Sequence, residues 1–406
     1  MDALSRLDID VAAIGRNLGR LQAEIGASCG LCPVVKSDAY GLGLRRIAPA
    51  LEAGGASMLA VYAPQEAALL LKPICSIPLL VLMPVRQLSA VDALYPGLRS
   101  GQVHLVVHDE QHLNELMMLA TELDELLHLH LKVDTGMHRG GCMAERAPQL
   151  VDRIMDDRRL RLAGICTHFG DSAGSNDSTR QQRAMFDAVL DACIDRLDSD
   201  CLVHCANTAA VYRGPAFHRS MVRVGLGWTG VCPPGQVRDG SSASQALEPV
   251  VRWTSRVIQA RQVEADEPVG YHGQWVTRRE SIIGVVPVGY ADGYPQSVQQ
   301  SKEIVVGVYR GDRMIGLAPV VGVVCMDQLI VDLTDVVASV DEGLGCGIEL
   351  LSRDVEAPNG LLALSSSTGV KPHALLSCLH PRVERRYHGE ISEVGLADLD
   401  QHTAAG

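Results

Sequence analysis

The sequence predicts an α/β protein: a (β/α)8 TIM-like barrel followed by a C-terminal all-β domain. Three observations carry this prediction. Up to about residue 234, short apolar runs alternate with segments of helical periodicity. Beyond it, β-branched runs follow one another with few helical intervals. At 406 residues the chain also exceeds one average domain, so two are expected.

In chain order, Leu7-Asp8-Ile9 reads as a short strand and Asp10 as the N-cap of a helix. Val11, Ile14, Leu18 and Leu21 fall on one face of that helix. Apolar runs then stand at 32–35, 58–62, 78–82, 103–107, 127–133, 160–167, 202–205 and 221–224, with helical periodicity at 110–120, 147–155 and 181–197. Strands separated by helices imply parallel βαβ units, and eight of them imply a closed barrel. An open doubly wound sheet is the rival architecture, but no Gly-rich dinucleotide fingerprint follows the first strand. The polar stretch 235–244 reads as a linker. Strands are expected at 250–260, 282–288, 303–309, 314–324, 329–333 and 347–351, with a short helix near 373–378. The division is therefore a barrel over 1–238, a β domain over 239–390 and a flexible tail over 391–406. Residues 1–9 are a candidate to pair with the C-terminal domain.

A hydrophobic content of 47% suffices for a large core, and no segment reaches the ~18 uninterrupted apolar residues of a membrane helix. A net charge of -12 and 4% aromatics argue against nucleic-acid binding, which needs basic surface and stacking platforms. The start Met1-Asp2-Ala3-Leu4-Ser5-Arg6 lacks signal-peptide texture, and twelve cysteines suit a reducing compartment as free thiols, so a cytoplasmic location is expected. Cys29-Gly30-Leu31-Cys32 has no second pair at zinc spacing and reads as buried thiols; no metal is expected.

Function in such a barrel sits at the C-terminal strand ends. Strand one delivers Lys36 and Tyr40. Strand five runs Leu131-Lys132-Val133-Asp134-Thr135-Gly136-Met137-His138-Arg139. Strand six ends in Thr167-His168-Phe169, strand seven in His204-Cys205-Ala206-Asn207-Thr208 and strand eight in Arg223-Val224-Gly225-Leu226-Gly227. A lysine at a buried strand mouth either points to water or, desolvated, becomes a nucleophilic amine. Five strand ends carrying Lys, Arg, His and hydroxyls together point to an anionic ligand. The N–H groups of Gly225 and Leu226 beside Thr208 would suit a phosphate.

With Val34-Val35-Lys36-Ser37-Asp38-Ala39-Tyr40-Gly41, these motifs resemble those of the alanine racemases, fold-type III pyridoxal-phosphate (PLP) enzymes. Val288-Gly289-Tyr290-Ala291-Asp292-Gly293-Tyr294-Pro295 and Val324-Cys325-Met326-Asp327-Gln328 extend the match, in the family's order, from Leu7 to about Tyr387. The resemblance implies an isomerase interconverting L-alanine and D-alanine, in D-alanine biosynthesis for the cell wall. Lys36 would hold PLP as a Schiff base and serve one face of Cα, with Tyr290 as base on the other. His168 would hydrogen-bond that phenol, whose ordinary pKa of about 10 makes it a poor base unaided. Arg223, bonded by His204, would face the pyridine nitrogen and disfavour its protonation. Tyr40, Asn207, Thr208, Gly225 and Leu226 would bind the cofactor, chiefly at its phosphate. Arg139 and the Met326 backbone would hold the substrate carboxylate, and Lys132 matches a lysine carbamylated in some members. A homodimer with sites shared between subunits is implied, without nucleic acid or membrane partners.

Three departures stand out. His373 occupies the place of a cofactor-binding tyrosine that also narrows the site. Val323 replaces an arginine before Cys-Met-Asp, and Trp228-Thr229-Gly230 replaces Leu-Tyr-Gly. The first two favour, as the alternative reading, a serine or broader-specificity racemase of the same fold. A non-catalytic PLP carrier is a further alternative, but single-domain carriers lack the β domain and Tyr290.

Overall fold

The computed structural model describes residues 4–174, 177–232, 247–296 and 304–389. The expected linker, the 238/239 boundary and the tail lie outside these residues. The chain forms two compact units, Gly15–Leu247 and Met1–Ile14 with Glu248–Gly406.

The first unit is the barrel. Its strands are β2 (Gly30–Pro33), β3 (Leu59–Val61), β4 (Leu79–Val81), β5 (Val103–Val107), β6 (Leu127–Asp134), β7 (Leu160–Cys166), β8 (Leu202–His204) and β9 (Met221–Val224). All pair in parallel, in the order β2-β9-β8-β7-β6-β5-β4-β3. A Val34–Ala60 bridge, with Val35 N donating to Ala60 O at 2.8 Å and Ser57 N to Leu31 O at 2.8 Å, joins the last strand to the first. Sequences such as Leu-Ala-Val in β3 and Leu-Leu-Val in β4 are buried throughout, because helices cover one face and the barrel interior the other. Cys32, Ala60, Leu80, Val106 and Met221, one from each of five neighbouring strands, form with Met58 a buried apolar cluster. This dry layer underlies the mouth and fixes where the strand ends stand.

The second unit contains a nine-stranded sheet. In chain order its strands are β1 (Arg6–Asp10), β10 (Val251–Arg256), β11 (Gln259–Val263), β12 (Ser281–Val286), β13 (Val305–Arg310), β14 (Arg313–Val321), β15 (Leu329–Asp332), β16 (Gly347–Leu351) and β17 (Glu384–His388). The spatial order is β11-β12-β15-β14-β13-β16-β10-β1-β17. The N-terminal strand thus lies between β10, antiparallel with Leu7 opposite Trp253, and β17, parallel with Leu7 opposite Arg385. Asp10 caps the following helix α1 (Val11–Ile25), accepting from Ala13 N at 2.9 Å.

The single strand expected over 250–260 is two. Val257 N donates to Cys346 O while its neighbour Ile258 N donates to Val285 O, so the chain changes partner strand at that step. A helix at Leu361–Thr368 and strand β17 were not expected. The expected short helix spans Pro372–Ser377. Among the described residues no helix is long and apolar enough to cross a membrane. Cys29 and Cys32 are buried free thiols.

Candidate active site

Lys36 follows β2 and opens a turn with unusual backbone. Ser37, Asp38, Ala39 and Tyr40 all have φ between 53° and 56°, a left-handed stretch that costs L-residues about 1–2 kcal/mol each. Gly41 and Gly43 follow with φ of 75° and 91°, so four non-glycine residues share the left-handed region with the two glycines. Hydrogen bonds offset the strain: Glu66 Oε1 accepts from Ser37 N at 2.5 Å, Asp38 Oδ1 from Leu44 N at 2.7 Å and Val35 O from Ala39 N at 2.9 Å. Such over-determined strain collects where a group must be held in place. Here the group is the Lys36 amine, which burial, and then the Arg139 charge, push below the ordinary lysine range while Glu66 opposes them. A larger fraction is therefore neutral and nucleophilic.

On the neighbouring strand stands Arg223, 6% exposed, near the end of β9. Its NH1 donates to His204 Nδ1 at 2.6 Å and to His204 O at 2.9 Å, and its NH2 to Thr167 O at 2.7 Å. NH2 also approaches His168 Nδ1 at 3.4 Å. Every one of these partners is a neutral acceptor. An arginine has no acceptor atom, so each imidazole nitrogen facing it must offer a lone pair. His168 accordingly carries its proton on Nε2 and can donate there. Burial, reinforced by Arg223, Arg139, Lys132 and Lys36, pushes its pKa down to about 3.

Tyr40, Asn207, Thr208, Gly225 and Leu226 gather on the same face of the unit. The Tyr40 ring stacks on Trp228 at 5.9 Å and 8°, and burial pushes its phenol up to about 12, so it stays a donor. A Cβ at Gly225 would lie 2.4 Å from Tyr40 Oη, so that phenol needs a bare backbone beside it. Thr208 Oγ1 accepts from Gly227 N at 3.0 Å, leaving its own O–H to donate. Asn207 Oδ1 is occupied as the cap of Thr208–Val211, accepting from Ala210 N at 3.0 Å. Its role in this structure is to hold the Thr208 turn. Two hydroxyl donors over open glycine backbone, on the strand ends that also carry a desolvated lysine and a buried arginine, fit the phosphate and aldehyde ends of PLP.

After β6, Asp134 Oδ1 accepts from Gly136, Met137 and His138 N at 2.9, 2.9 and 3.1 Å, which folds the loop that presents exposed Arg139. Lys132 is half-buried; burial, with Arg139 and Arg223, holds its amine below the ordinary lysine range.

In the second unit Tyr290 opens a single 3-10 turn and is 39% exposed. Tyr290 N donates to Cys325 O at 3.1 Å and Ala291 N to Met326 O at 3.0 Å, so its turn is laced to the Met326 loop. The crossing is so close that a Cβ at Gly289 would lie 2.3 Å from both carbonyl oxygens. Asp292 Oδ2 accepts from Gly289 N at 2.9 Å, and Arg382 bridges Asp292 (Nε–Oδ1 2.6 Å) and Asp327 (NH2–Oδ1 2.8 Å). His373 is exposed on the Pro372–Ser377 helix. A cavity of about 520 Å³ opens beside the Met326 loop, lined by Gly270, Tyr271, Cys325, Met326, Asp327 and Gln328.

Residues 9–233 match the alanine racemase N-terminal domain family and residues 250–387 the alanine racemase C-terminal domain family. The chain belongs to the alanine racemase family. It is 31% identical to an alanine racemase of Treponema pallidum, over 93% of this chain and 98% of that protein. The alanine racemase structure from E. faecalis matches with a TM-score of 0.80 at 30% identity, covering 95% of this chain and 98% of that one. The Bartonella henselae alanine racemase, solved with covalently bound pyridoxal phosphate, matches with a TM-score of 0.78 at 28% identity over 95% and 100% of the two chains. Among residues of an alanine racemase fold, the sequence reading passed over Trp228 as a support for Tyr40, Glu66 beside Lys36, and the Asp292–Arg382 pair. The motif Tyr290-Ala291-Asp292 did contain a signal: an acid two residues past the tyrosine suits a turn cap.

Proposed function

We propose that this protein is a PLP-dependent alanine racemase, interconverting L-alanine and D-alanine with Lys36 and Tyr290 as the two bases. The observation that carries the reading is Arg223, held at the barrel mouth by neutral acceptors with no carboxylate partner among the described residues. A cation left uncompensated there disfavours protonation of a pyridine nitrogen, whereas decarboxylases of the same plan use an acidic partner.

Lys36 would hold the cofactor aldehyde, and Tyr40, Thr208 and the Gly225–Leu226 backbone would hold its phosphate. When bound, PLP delocalises the electron pair left at Cα after its proton departs. Arg139 and the Met326 backbone orient the substrate carboxylate, so that Cα–H points at one base or the other. The Lys36 amine exchanges a proton with one face. Tyr290 exchanges a proton with the opposite face, its phenolate oxygen stabilised by His168 Nε2–H. His373 stands in the sequence where the family has a cofactor-binding tyrosine that narrows the site, and its lack of a phenol's bulk keeps serine or broader specificity as the second reading. The depressed Lys132 amine suits addition to CO2, giving a carbamate that would orient Arg139. The unit Gly15–Leu247 would be the cofactor-binding domain, and the unit of Met1–Ile14 with Glu248–Gly406 the one that supplies Tyr290. A homodimer in which each subunit's Tyr290 completes the other's site gives two identical composite sites, and twelve free cysteines suit a reducing cytoplasm.

Two measurements test this. Borohydride reduction should fix the cofactor on the peptide containing Lys36, and a label on another lysine overturns the site. Racemisation assayed over a panel of L-amino acids should be fastest with alanine; no racemisation of any member would refute the function.

A further inference from the structure

The His204 imidazole that receives Arg223 is itself the end of a chain. His204 Nε2 lies 2.8 Å from His130 Nδ1, and His130 Nε2 lies 2.9 Å from His104 Nδ1. His130 and His204 are fully buried, and His104 is 8% exposed. The rings come from different strands: His104 from the start of β5, His130 from the middle of β6 and His204 from the end of β8. The chain therefore climbs from the N-terminal side of the barrel to the mouth. Barrel interiors are ordinarily filled by branched aliphatic residues, and a buried polar group is tolerated only when satisfied. Room has been made for it: opposite His130 in register stands Gly164, where a Cβ would lie 2.3 Å from His130 Nδ1.

Arginine fixes the direction of the whole chain. Because NH1 can only donate, His204 Nδ1 must accept, so the His204 proton sits on Nε2. It is donated to His130 Nδ1, which places the His130 proton on its own Nε2, facing His104 Nδ1. All three imidazoles are then neutral Nε2–H tautomers pointing lone pairs toward the arginine. Burial agrees, pushing His104 down to about 3 and His130 and His204 well below the ordinary histidine value.

We propose that His130 and His104 are positioning residues: by accepting in series they lock the His204 tautomer, and through it aim the uncompensated Arg223 guanidinium at the barrel mouth. Without an acceptor at His130, the His204 Nε2–H is orphaned. Rotating the ring to relieve it would set N–H against the arginine's own N–H and displace the guanidinium. This inference rests on the racemase reading above for its catalytic consequence, but not for its geometry.

The test has two arms. Nitrogen-15 NMR of the histidine-labelled holoenzyme at neutral pH should show His104, His130 and His204 as neutral Nε2–H tautomers. A Nδ1–H or cationic form of His130 or His204 overturns the proposal whether or not the protein racemises anything, which separates its failure from that of the functional reading. The second arm compares His130→Leu, which removes the acceptor, with His130→Asn, whose Oδ1 stands near the Nδ1 position and restores it. Transaminations per racemisation, and the absorbance of the bound cofactor, should change on the order of tenfold and visibly for Leu, the size of one lost buried hydrogen bond. The Asn variant should stay within about twofold. Gly164→Ala, which crowds the His130 ring without altering its chemistry, should behave like Leu. Wild-type partitioning in a folded Leu variant, or an equal change in Asn and Leu, overturns the proposal. If neither Leu nor Ala folds, the tautomer measurement decides it.

Discussion

Two arginines organise the two units, and they are held in opposite ways. Arg223 is buried and touches only imidazole nitrogens and carbonyl oxygens. Arg382 is 43% exposed and bridges two carboxylates, Asp292 and Asp327. The first guanidinium keeps its charge for whatever lies at the mouth. The second has its charge cancelled and serves as a staple between the Tyr290 turn and the Met326 loop. Neutral acceptors preserve a cation for chemistry, whereas carboxylates spend it on structure. The depressed His168 fits the same logic: burial lowers it first, and the Arg223 charge beside it adds to that.

The largest effect should come from removing one base in each unit. Lys36→Ala and Tyr290→Phe should each lose about 10²–10⁴-fold in kcat, the usual worth of positioned acid–base groups. Mixed as subunits, they also report on assembly. If sites are shared, each hybrid dimer holds one doubly defective and one intact site; random mixing makes about half the dimers hybrid, so activity should return to roughly a quarter of wild type. Hybrid dimers confirmed by tagging but showing no recovery would exclude the composite site.

Next in size is the comparison of the arginines themselves. Arg223→Gln removes a fixed charge from a desolvated mouth and should cost on the order of 10²–10³ in kcat/KM. Arg382→Gln loosens the Tyr290 turn without touching substrate, and a misplacement below 1 Å should cost less than 10²-fold, mostly in kcat. The bound-cofactor spectrum should change with Arg223 and stay unchanged with Arg382. Equal losses and equal spectra for the two variants would show that the contrast has no functional content.

How much of this was legible follows from the same residues. The barrel was readable because strands buried on both faces, such as 59–61 and 79–81, stand out as unbroken apolar runs. Lys36, Arg223 and Tyr290 were readable as motif residues. The histidine chain was not, because His104 and His130 sat inside runs read as apolar strands, and their partners are 26 and 74 residues away in sequence. The alternation His128-Leu129-His130-Leu131-Lys132 held the clue: period two puts His128, His130 and Lys132 on one face. Arg382 meets Asp292 across 90 residues, beyond any local pattern. The left-handed turn at Ser37–Tyr40 gave no signal, since no glycine occupies those four positions.

A pH series sharpens the barrel side of the comparison. Unfolded histidines bind protons below about 6.5, whereas His104 and His168 resist down to about 3 and His108 to about 4, chiefly through burial. Between those values the unfolded state carries more protons, so stability is full above about 6.5 and falls as the pH drops toward 3. Each such histidine contributes a slope of up to ~1.4 kcal/mol per pH unit. Replacing His130 with Asn should flatten the dependence between pH 6.5 and 5 by up to one such increment, read by denaturant midpoints. An unchanged slope would mean that His130 is protonated in the folded state.

The smallest effect should lie in the second unit, at His373. If chemistry is set by the barrel's charges and selectivity by side chains from the β unit, then His373→Tyr should alter which substrate is preferred while leaving the cofactor spectrum alone. A phenol is longer than an imidazole and would narrow the space beside the substrate side chain. One group of this size in a pocket discriminates by only ~1–3 kcal/mol, and His373 is exposed, so the lower end applies. The alanine-to-serine ratio of kcat/KM should therefore rise by about tenfold or less in the Tyr variant, with kcat for alanine within a few-fold of wild type. Equal ratios in the two proteins would remove His373 from the selectivity argument. A fall in the ratio would show that the imidazole, by hydrogen bonding or by bulk, had been excluding the hydroxyl of serine.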